Sequence, residues 1–203
     1  MSDLREYSPK RFAIASVMCP SCHIRLERDT NWCEACGFTG SKSMEMFGED
    51  PPPLLPILDV VDLWTPKEQK KINAAIKDFG KRFPQIRWRI CAVMLGAEIS
   101  LPVFGFWLLN VCPLAEGETA EDREWTVLLL VDGKTGNASV TTGYRAEVWL
   151  SDEMWNRALA AVSNSMRQGD TLQAVTNFLK TTRVMLEKAW KRSQQQLKQD
   201  SGS

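Results

Sequence analysis

Four cysteines near the start of the chain are the side chains whose type and spacing most directly imply chemistry. They form two C-x-x-C pairs, Cys19/Cys22 and Cys33/Cys36, with ten residues between the pairs. Each pair can close a tight knuckle whose backbone amides face the sulfur atoms. Because four thiolates give zinc a closed tetrahedral shell with no open position, the spacing predicts a structural zinc site.

The rest of this segment supports a metal role for the cysteines. Without a metal, residues 1–40 would have almost no core, and in so small a unit metal-binding free energy is folding free energy. His23, the only histidine, is either a substitute ligand or a solvated knuckle residue. Cys91 and Cys112 stand apart, without an obvious base, so nucleophilic catalysis is disfavoured. The pattern of residues 1–40 resembles a zinc ribbon.

Charge indicates what kind of partner the ribbon would bind. Over residues 1–42 there are six Lys/Arg against five Asp/Glu, and the whole chain balances 25 against 25. A nucleic-acid-binding ribbon needs a basic face. We therefore expect a contact with another protein, or a purely structural role, and regard nucleic acid as an unlikely partner.

A β-hairpin lies at the centre of the predicted fold. The apolar run 127–131 has no polar break, so it predicts a strand buried on both faces. The sequence DGKTGN then reverses the chain, since its glycines and Asn137 tolerate positive φ. Residues 138–142 are short and β-branched, which indicates the returning strand.

Helices and one further strand surround this hairpin. Thr65, Pro66 and Glu68 predict a capped helix start, and Pro84 ends that helix. We expect a strand over 88–95, a buried helix over 101–114 and a mobile acidic connection over 115–123. Ser151 caps a helix that stops at Gly169, and a long helix follows.

The chain divides into segments by composition. A Pro-rich linker covers 41–54, where three consecutive prolines favour a semi-rigid extended spacer. An α/β domain covers 55–192, and 193–203 form a polar tail that should fray. No stretch reaches the roughly 18 apolar residues of a membrane span, and the first residues lack an apolar signal core. A cytoplasmic protein without a membrane span is the expectation.

Residues 55–190 resemble the TPM domain, a phosphatase-like family. The resemblance lies in ILDVVDLWTPKEQKKI, in WRICAVML, in REWTVLLLVDGKTGNASVTTGYRAE and in the two final helices. It implies an α/β fold with a small mixed sheet of about four strands sandwiched between helices.

The chain departs from the family at two motifs. The family has Asp-Asn-Gly where this chain has Glu124-Trp125-Thr126, and Gly-Tyr-Gly-x-Glu where this chain has residues 143–147, GYRAE. The family's second glycine, which lets backbone approach a ligand, is Arg145. We therefore expect a non-catalytic interaction or scaffold module. The alternative is a divalent-metal-dependent phosphatase of the TPM type.

The resemblance leaves three carboxylates for such an activity, Asp59, Glu124 and Glu147, which fall at predicted loop ends. Together they could bind a hard cation such as Ca²⁺ or Mg²⁺ through oxygen. A metal there could polarise a phosphoryl group and activate water. The alternative is that they are surface acids at helix starts and turns, with Asp59 as a turn residue.

Overall fold

The computed structural model describes residues 18–27, 30–96, 98–113, 115–147, 149 and 151–200 of the 203. The helices and strands of this part of the chain follow one another as α1 (Gly40–Phe47), β1 (Ile57–Asp59), α2 (Pro66–Arg82), β2 (Arg87–Val93), α3 (Leu101–Val111), α4 (Ala120–Glu124), β3 (Thr126–Asp132), β4 (Ala138–Thr142), α5 (Tyr144–Glu147), α6 (Asp152–Arg167) and α7 (Thr171–Asp200).

The four strands form one mixed sheet in the order β1-β2-β3-β4. The first three strands run parallel, and β4 is antiparallel to β3. Asp132 closes the β3–β4 hairpin by accepting hydrogen bonds from the Lys134 amide at 2.9 Å and the Thr135 hydroxyl at 2.7 Å. The α/β class, the four strands and the hairpin are therefore confirmed.

Both faces of the sheet are buried. Along β3, Val127 and Leu129 point into one core, whereas Leu128 and Leu130 point into the other. All four side chains are 0–1% exposed. This two-sided burial explains why the strand is an unbroken apolar run rather than an alternating one.

Helices α2, α6 and α7 cover the first face. Helix α2 begins with the predicted capping box, in which Thr65 and Glu68 satisfy each other's backbone amides, and Pro66 lies in its first turn. Its Phe79 packs edge-on against Trp88 of β2, with ring centroids 5.0 Å apart. Phe178 of α7 meets the same indole at 5.6 Å, so the tryptophan joins both helices to the sheet.

Helix α3 covers the second face and confirms the predicted helix over this segment, although it ends at Val111. Every residue of α3 is buried or half-buried. Gly105 lies against β3 and β4, where an added Cβ would be 2.4 Å from Thr141 Oγ1 and 2.6 Å from Leu130 Cδ1. Glycine at this position therefore sets how closely the helix approaches the sheet.

The outer side of α3 is covered by α1 and by the cysteine segment. Phe47 of α1 packs edge-on against Phe104 with ring centroids 5.3 Å apart. The Trp107 indole donates to Gly48 O at 2.8 Å. Phe38, which follows the second cysteine pair, meets Phe106 edge-on at 5.5 Å. The cysteine segment is thus packed against the α/β core.

The predicted linker over 41–54 is the clearest departure from expectation. Its first half is α1, where Thr39 Oγ1 accepts a hydrogen bond from the Lys42 amide at 3.2 Å. Phe47 packs on α3, and Leu54 is buried beside β2 and β3. The segment is ordered because these apolar side chains have a partner in α3, which its Pro-rich composition does not reveal.

Three smaller differences concern short elements and the chain end. The predicted mobile connection contains α4, which starts with a capping box between Thr119 and Asp122. Strand β1 was not among the strands assigned from the sequence alone. Helix α7 continues through most of the predicted fraying tail, to Asp200. Residues 1–17 of the predicted ribbon and 201–203 of the tail lie outside the described residues.

Candidate metal centre

The two cysteine pairs converge on one point, forming a cysteine cluster of Cys19, Cys22, Cys33 and Cys36. All four sulfur atoms lie within 4.8 Å of one another. The Sγ atoms of Cys19 and Cys36 are 3.8 Å apart, and those of Cys22 and Cys33 are 3.5 Å apart. A tetrahedral zinc ion with Zn–S bonds of about 2.3 Å requires sulfur separations of about 3.8 Å. The donor set therefore fits a metal such as zinc.

The first knuckle is closed by two backbone hydrogen bonds around its first cysteine. The amide of Cys19 donates to Ile24 O at 2.9 Å, and the amide of His23 donates to Cys19 O at 2.9 Å. His23 has a positive φ of 59° and is exposed. It is outside the cluster of ligand atoms, which agrees with a solvated knuckle residue.

The second knuckle repeats this arrangement. The amide of Cys33 donates to Phe38 O at 2.9 Å, and the amide of Gly37 donates to Cys33 O at 2.7 Å. Gly37 has a φ of 69° and occupies the position that His23 has in the first knuckle. The equivalent of Phe38 is Ile24, which is 52% exposed, whereas Phe38 is buried against α3. Two similar knuckles therefore have different surroundings.

Backbone amides and burial act in opposite directions on the thiols. Burial raises the pKa of the Cys19 thiol to about 12, against hydrogen bonds from the backbone of Cys22 and Ser21. A backbone hydrogen bond from Phe38 lowers the pKa of the Cys36 thiol to about 7. Metal ligation needs thiolates. Of the four cysteines Cys36 is the exposed one, and its lowered pKa favours the thiolate form that ligation needs.

The three candidate carboxylates do not converge. Asp59 ends β1 and accepts hydrogen bonds from the amides of Leu63 and Trp64, both at 2.9 Å. Its carboxylate therefore closes the turn before α2, as a turn residue does. In the sheet register Asp59 pairs with Ala92, which pairs with Val131 near the end of β3.

The other two carboxylates lie at the opposite end of the sheet. Glu124 precedes the first residue of β3, and Glu147 follows β4, whose last residue Thr142 pairs with Val127. Strand β3 separates this end from that of Asp59. In the described part of the chain, the cysteine cluster is the group of metal-ligand side chains that can share an ion.

A guanidinium group lies between carboxylates at this end. Arg145 of α5 donates from Nη1 to Glu121 Oε1 at 2.6 Å and contacts Glu124 Oε2 through Nε at 2.7 Å. Burial raises the pKa of the neighbouring Tyr144 to about 12, and the charges of Glu147 and Glu124 act in the same direction. No local pattern in the sequence indicates the Glu121 contact, because it depends on how α4 meets α5.

Close packing around position 143 explains why a glycine is found there. A Cβ at this position would lie 2.3 Å from Arg123 O and 2.4 Å from Glu124 O. Arg123 in turn donates to the carbonyl oxygens of Asn110 and Cys112 at the end of α3. The glycine therefore lets α4 lie against β4, and α4 joins the hairpin to α3.

The fold resembles solved structures at low sequence identity. No family model matches the chain, and no curated protein matches it. The N-terminal domain of a protein from P. gingivalis, solved by NMR, aligns with a TM-score of 0.50 and 11% identity, over 75% of this chain and 93% of that one. At this identity the likeness concerns the fold alone.

Two further NMR structures align over similar lengths. The N-terminal domain of the cg2496 protein from Corynebacterium glutamicum has a TM-score of 0.48 and 13% identity, over 64% of this chain and 78% of that one. The BA42 protein from Bizionia argentinensis has a TM-score of 0.47 and 19% identity, over 64% and 86%. Among the described helices, none combines the length and apolar character needed to cross a bilayer.

Proposed function

We propose that this protein is a non-catalytic interaction or scaffold module, in which a TPM-like α/β domain is stabilised by a structural zinc ion in the cysteine cluster. The observation that carries the proposal is the pairing of Arg145 with Glu121 and Glu124. The guanidinium of Arg145 lies between these two carboxylates and takes the position that a metal cation would need. Arg145 stands where the resembling family has a glycine.

The geometry of the carboxylates disfavours the phosphatase alternative. A hard cation needs several oxygen ligands at about 2.3–2.6 Å, so its carboxylates must share one small space. Asp59 instead accepts two backbone hydrogen bonds at the other end of the sheet. A cation at Glu124 would also have to displace the guanidinium of Arg145. The carboxylate of Asp59 is therefore absent from this end of the sheet, and Arg145 occupies the position beside Glu124 that a cation would need.

The surface of the knuckles supports contact with another protein. Ile24 and Trp32 are 52% and 53% exposed. Ile24 lies just after the first cysteine pair, and Trp32 lies directly before the second. Exposed aliphatic and aromatic side chains are typical of protein-binding surfaces. The proposed zinc would hold the two loops in fixed positions, so that these side chains form part of a rigid contact.

Elemental analysis and a hydrolysis assay test the proposal together. We expect one zinc ion per chain after purification, and no hydrolysis of p-nitrophenyl phosphate above background when Ca²⁺ or Mg²⁺ is added. The Glu147→Ala variant should behave like the unaltered protein in this assay. Glu116→Ala, an exposed acid in the same part of the chain, is the matched control.

The results that overturn the proposal are specific. Metal-dependent hydrolysis that Glu147→Ala abolishes and Glu116→Ala leaves intact would establish the phosphatase alternative. A protein purified with reduced cysteines but without zinc would contradict the proposed structural zinc site.

A further inference from the structure

Basic residues are concentrated in two neighbouring helices, although the whole chain has no net charge. Helix α2 contains six basic residues against two acidic ones. Helix α7 contains five basic residues against one acidic residue between 171 and 192. Helix α6, in the same layer, is balanced. Because α2 and α7 pack against each other, their excess positive charge falls on one side of the molecule.

Two arginines, Arg82 of α2 and Arg183 of α7, lie at the contact between these helices. Arg183 of α7 pairs with Asp78 of α2 at 2.6 Å and with Glu187 of its own helix at 3.2 Å. Arg82 of α2 reaches Glu187 at 4.0 Å. The acidic side chains at this contact are therefore paired with arginine, and Asp78 also contacts the exposed Lys81 of its own helix at 3.5 Å.

The outward side of α2 carries a row of lysines. Ile72 and Phe79 face the core, and with 3.6 residues per turn the opposite side of the helix passes through positions 67, 70, 74, 77 and 81. Position 74 is an exposed alanine, and the other four positions are exposed lysines: Lys67, Lys70, Lys77 and Lys81.

The outward side of α7 continues this surface. Lys180, Lys188 and Lys191 are exposed on the side opposite the buried Phe178. Val184, 44% exposed, lies among them on the same side of the helix. We call the seven outward lysines of α2 and α7, together with Val184, the lysine face.

We propose that the lysine face binds a membrane surface that contains anionic lipid. Lysine ammonium groups act as point charges, whereas arginine provides the bidentate recognition of individual phosphates. The lysine face has no arginine, which suits a diffuse layer of lipid headgroups. Val184 can enter the headgroup boundary between the lysines, as apolar residues of surface-bound helices do.

Nucleic acid fits the same face less well. Single strands are bound by stacking bases on aromatic side chains. Trp190, near the end of the lysine row of α7, already packs against Trp149 in a tilted arrangement, with ring centroids 5.6 Å apart. The lysine face therefore supplies charge without a platform for bases.

Vesicle co-sedimentation with the full-length protein tests the inference. We expect binding to phosphatidylcholine vesicles that contain phosphatidylserine, and no binding to pure phosphatidylcholine, with affinity falling as salt rises. A lysine near an anionic surface contributes about fivefold in affinity, so Lys77→Gln should weaken binding about fivefold and Lys70→Gln/Lys77→Gln about twentyfold to thirtyfold. Lys134→Gln, at the exposed hairpin turn, changes net charge equally and should have no effect.

The other outcomes contradict the inference. Equal weakening by Lys134→Gln and Lys77→Gln would show that net charge, rather than this face, determines binding. Binding to an RNA or DNA duplex without binding to vesicles would identify a nucleic-acid surface instead. Absence of binding to both probes at low salt would exclude a polyanion-binding role for the face. Circular dichroism and thermal unfolding of each variant verify that the fold is retained.

Discussion

The two faces of the sheet are covered in different ways. On one face, α2 is amphipathic, with Ile72 and Phe79 inward and lysines outward. On the other face, α3 is apolar apart from Asn110, and each of its residues is buried or half-buried. A helix that is apolar all round must be buried on every side. The sheet covers one side of α3, and α1 with the cysteine cluster covers the other.

This difference assigns a structural task to the cysteine cluster. Its buried members belong to one apolar group with Phe38, Val103 and Phe106. In the absence of a bound metal, short loops of this kind have little to hold them together. The proposed zinc would therefore stabilise the outer cover of α3 as well as the knuckles.

Replacing one cysteine ligand should produce the largest loss of stability, and the loss should fall on the α3 face of the sheet. In small zinc modules, metal binding contributes about 10 kcal/mol or more to folding, so Cys33→Ser should lose zinc and loosen the cover of α3. We expect a reduced zinc content, a lower unfolding temperature and increased binding of the dye ANS. Cys91→Ala, in the sheet core, is the control and should keep its zinc. Full zinc content in Cys33→Ser would contradict the ligand assignment.

Two helical glycines give a matched test of the two faces. Gly105→Ala places a methyl group against Thr141 and the fully buried Leu130, and overpacking of this kind costs about 1–3 kcal/mol. In Gly80→Ala on α2, the added Cβ has no neighbour within 4 Å, and the better helix propensity should add about 0.5–1 kcal/mol. Denaturant unfolding measures both, and changes of the same sign would contradict the tight approach of α3.

The two knuckles have different residues at their equivalent position of positive φ, His23 in the first and Gly37 in the second. Gly37→Ala should cost about 1 kcal/mol, since a Cβ is disfavoured in the left-handed region. His23 already bears this cost, so His23→Gly should leave stability within about 1 kcal/mol, on the stabilising side. Competition with a chromophoric chelator measures both zinc affinities. An equal loss of zinc affinity in Gly37→Ala and His23→Gly would contradict the equivalence of the two positions.

The ion pairs of Arg145 should contribute least. Its side chain is 49% exposed, and exposed ion pairs contribute about 0–1 kcal/mol. Arg145→Gln should therefore lower the free energy of unfolding by less than about 1 kcal/mol, and less in high salt. Stabilisation of this variant alone by Ca²⁺ would show that the guanidinium takes the place of a cation between Glu121 and Glu124.

The features that the sequence predicted depend on residues close together in the chain. Two C-x-x-C pairs bring their sulfurs together through local turns. The hairpin follows from an apolar run and a turn sequence ending at Asn137. The capping box at Thr65 and the N-cap at Ser151 likewise require only a few adjacent residues.

The features that the sequence did not predict depend on distant parts of the chain. Whether Asp59 lies beside Glu124 is decided by strand direction and register, which no local pattern specifies. Helix α1 is held by Phe47 against α3, some sixty residues later in the chain. Helix α4 could have been found from its Thr119–Asp122 capping box, but five residues give almost no periodic signal.

The placement of α2 and α3 on opposite faces has a consequence for the handedness of the fold. Strands β1, β2 and β3 are parallel and lie in chain order. Two right-handed crossovers in that order would place both helices on the same face, and about 98% of such crossovers are right-handed. One crossover in this protein must therefore be left-handed. If both crossovers were right-handed, α3 would lie on the same face as α2. Leu128 and Leu130 would then have no helix over them, and the cysteine segment would have no helix to pack against.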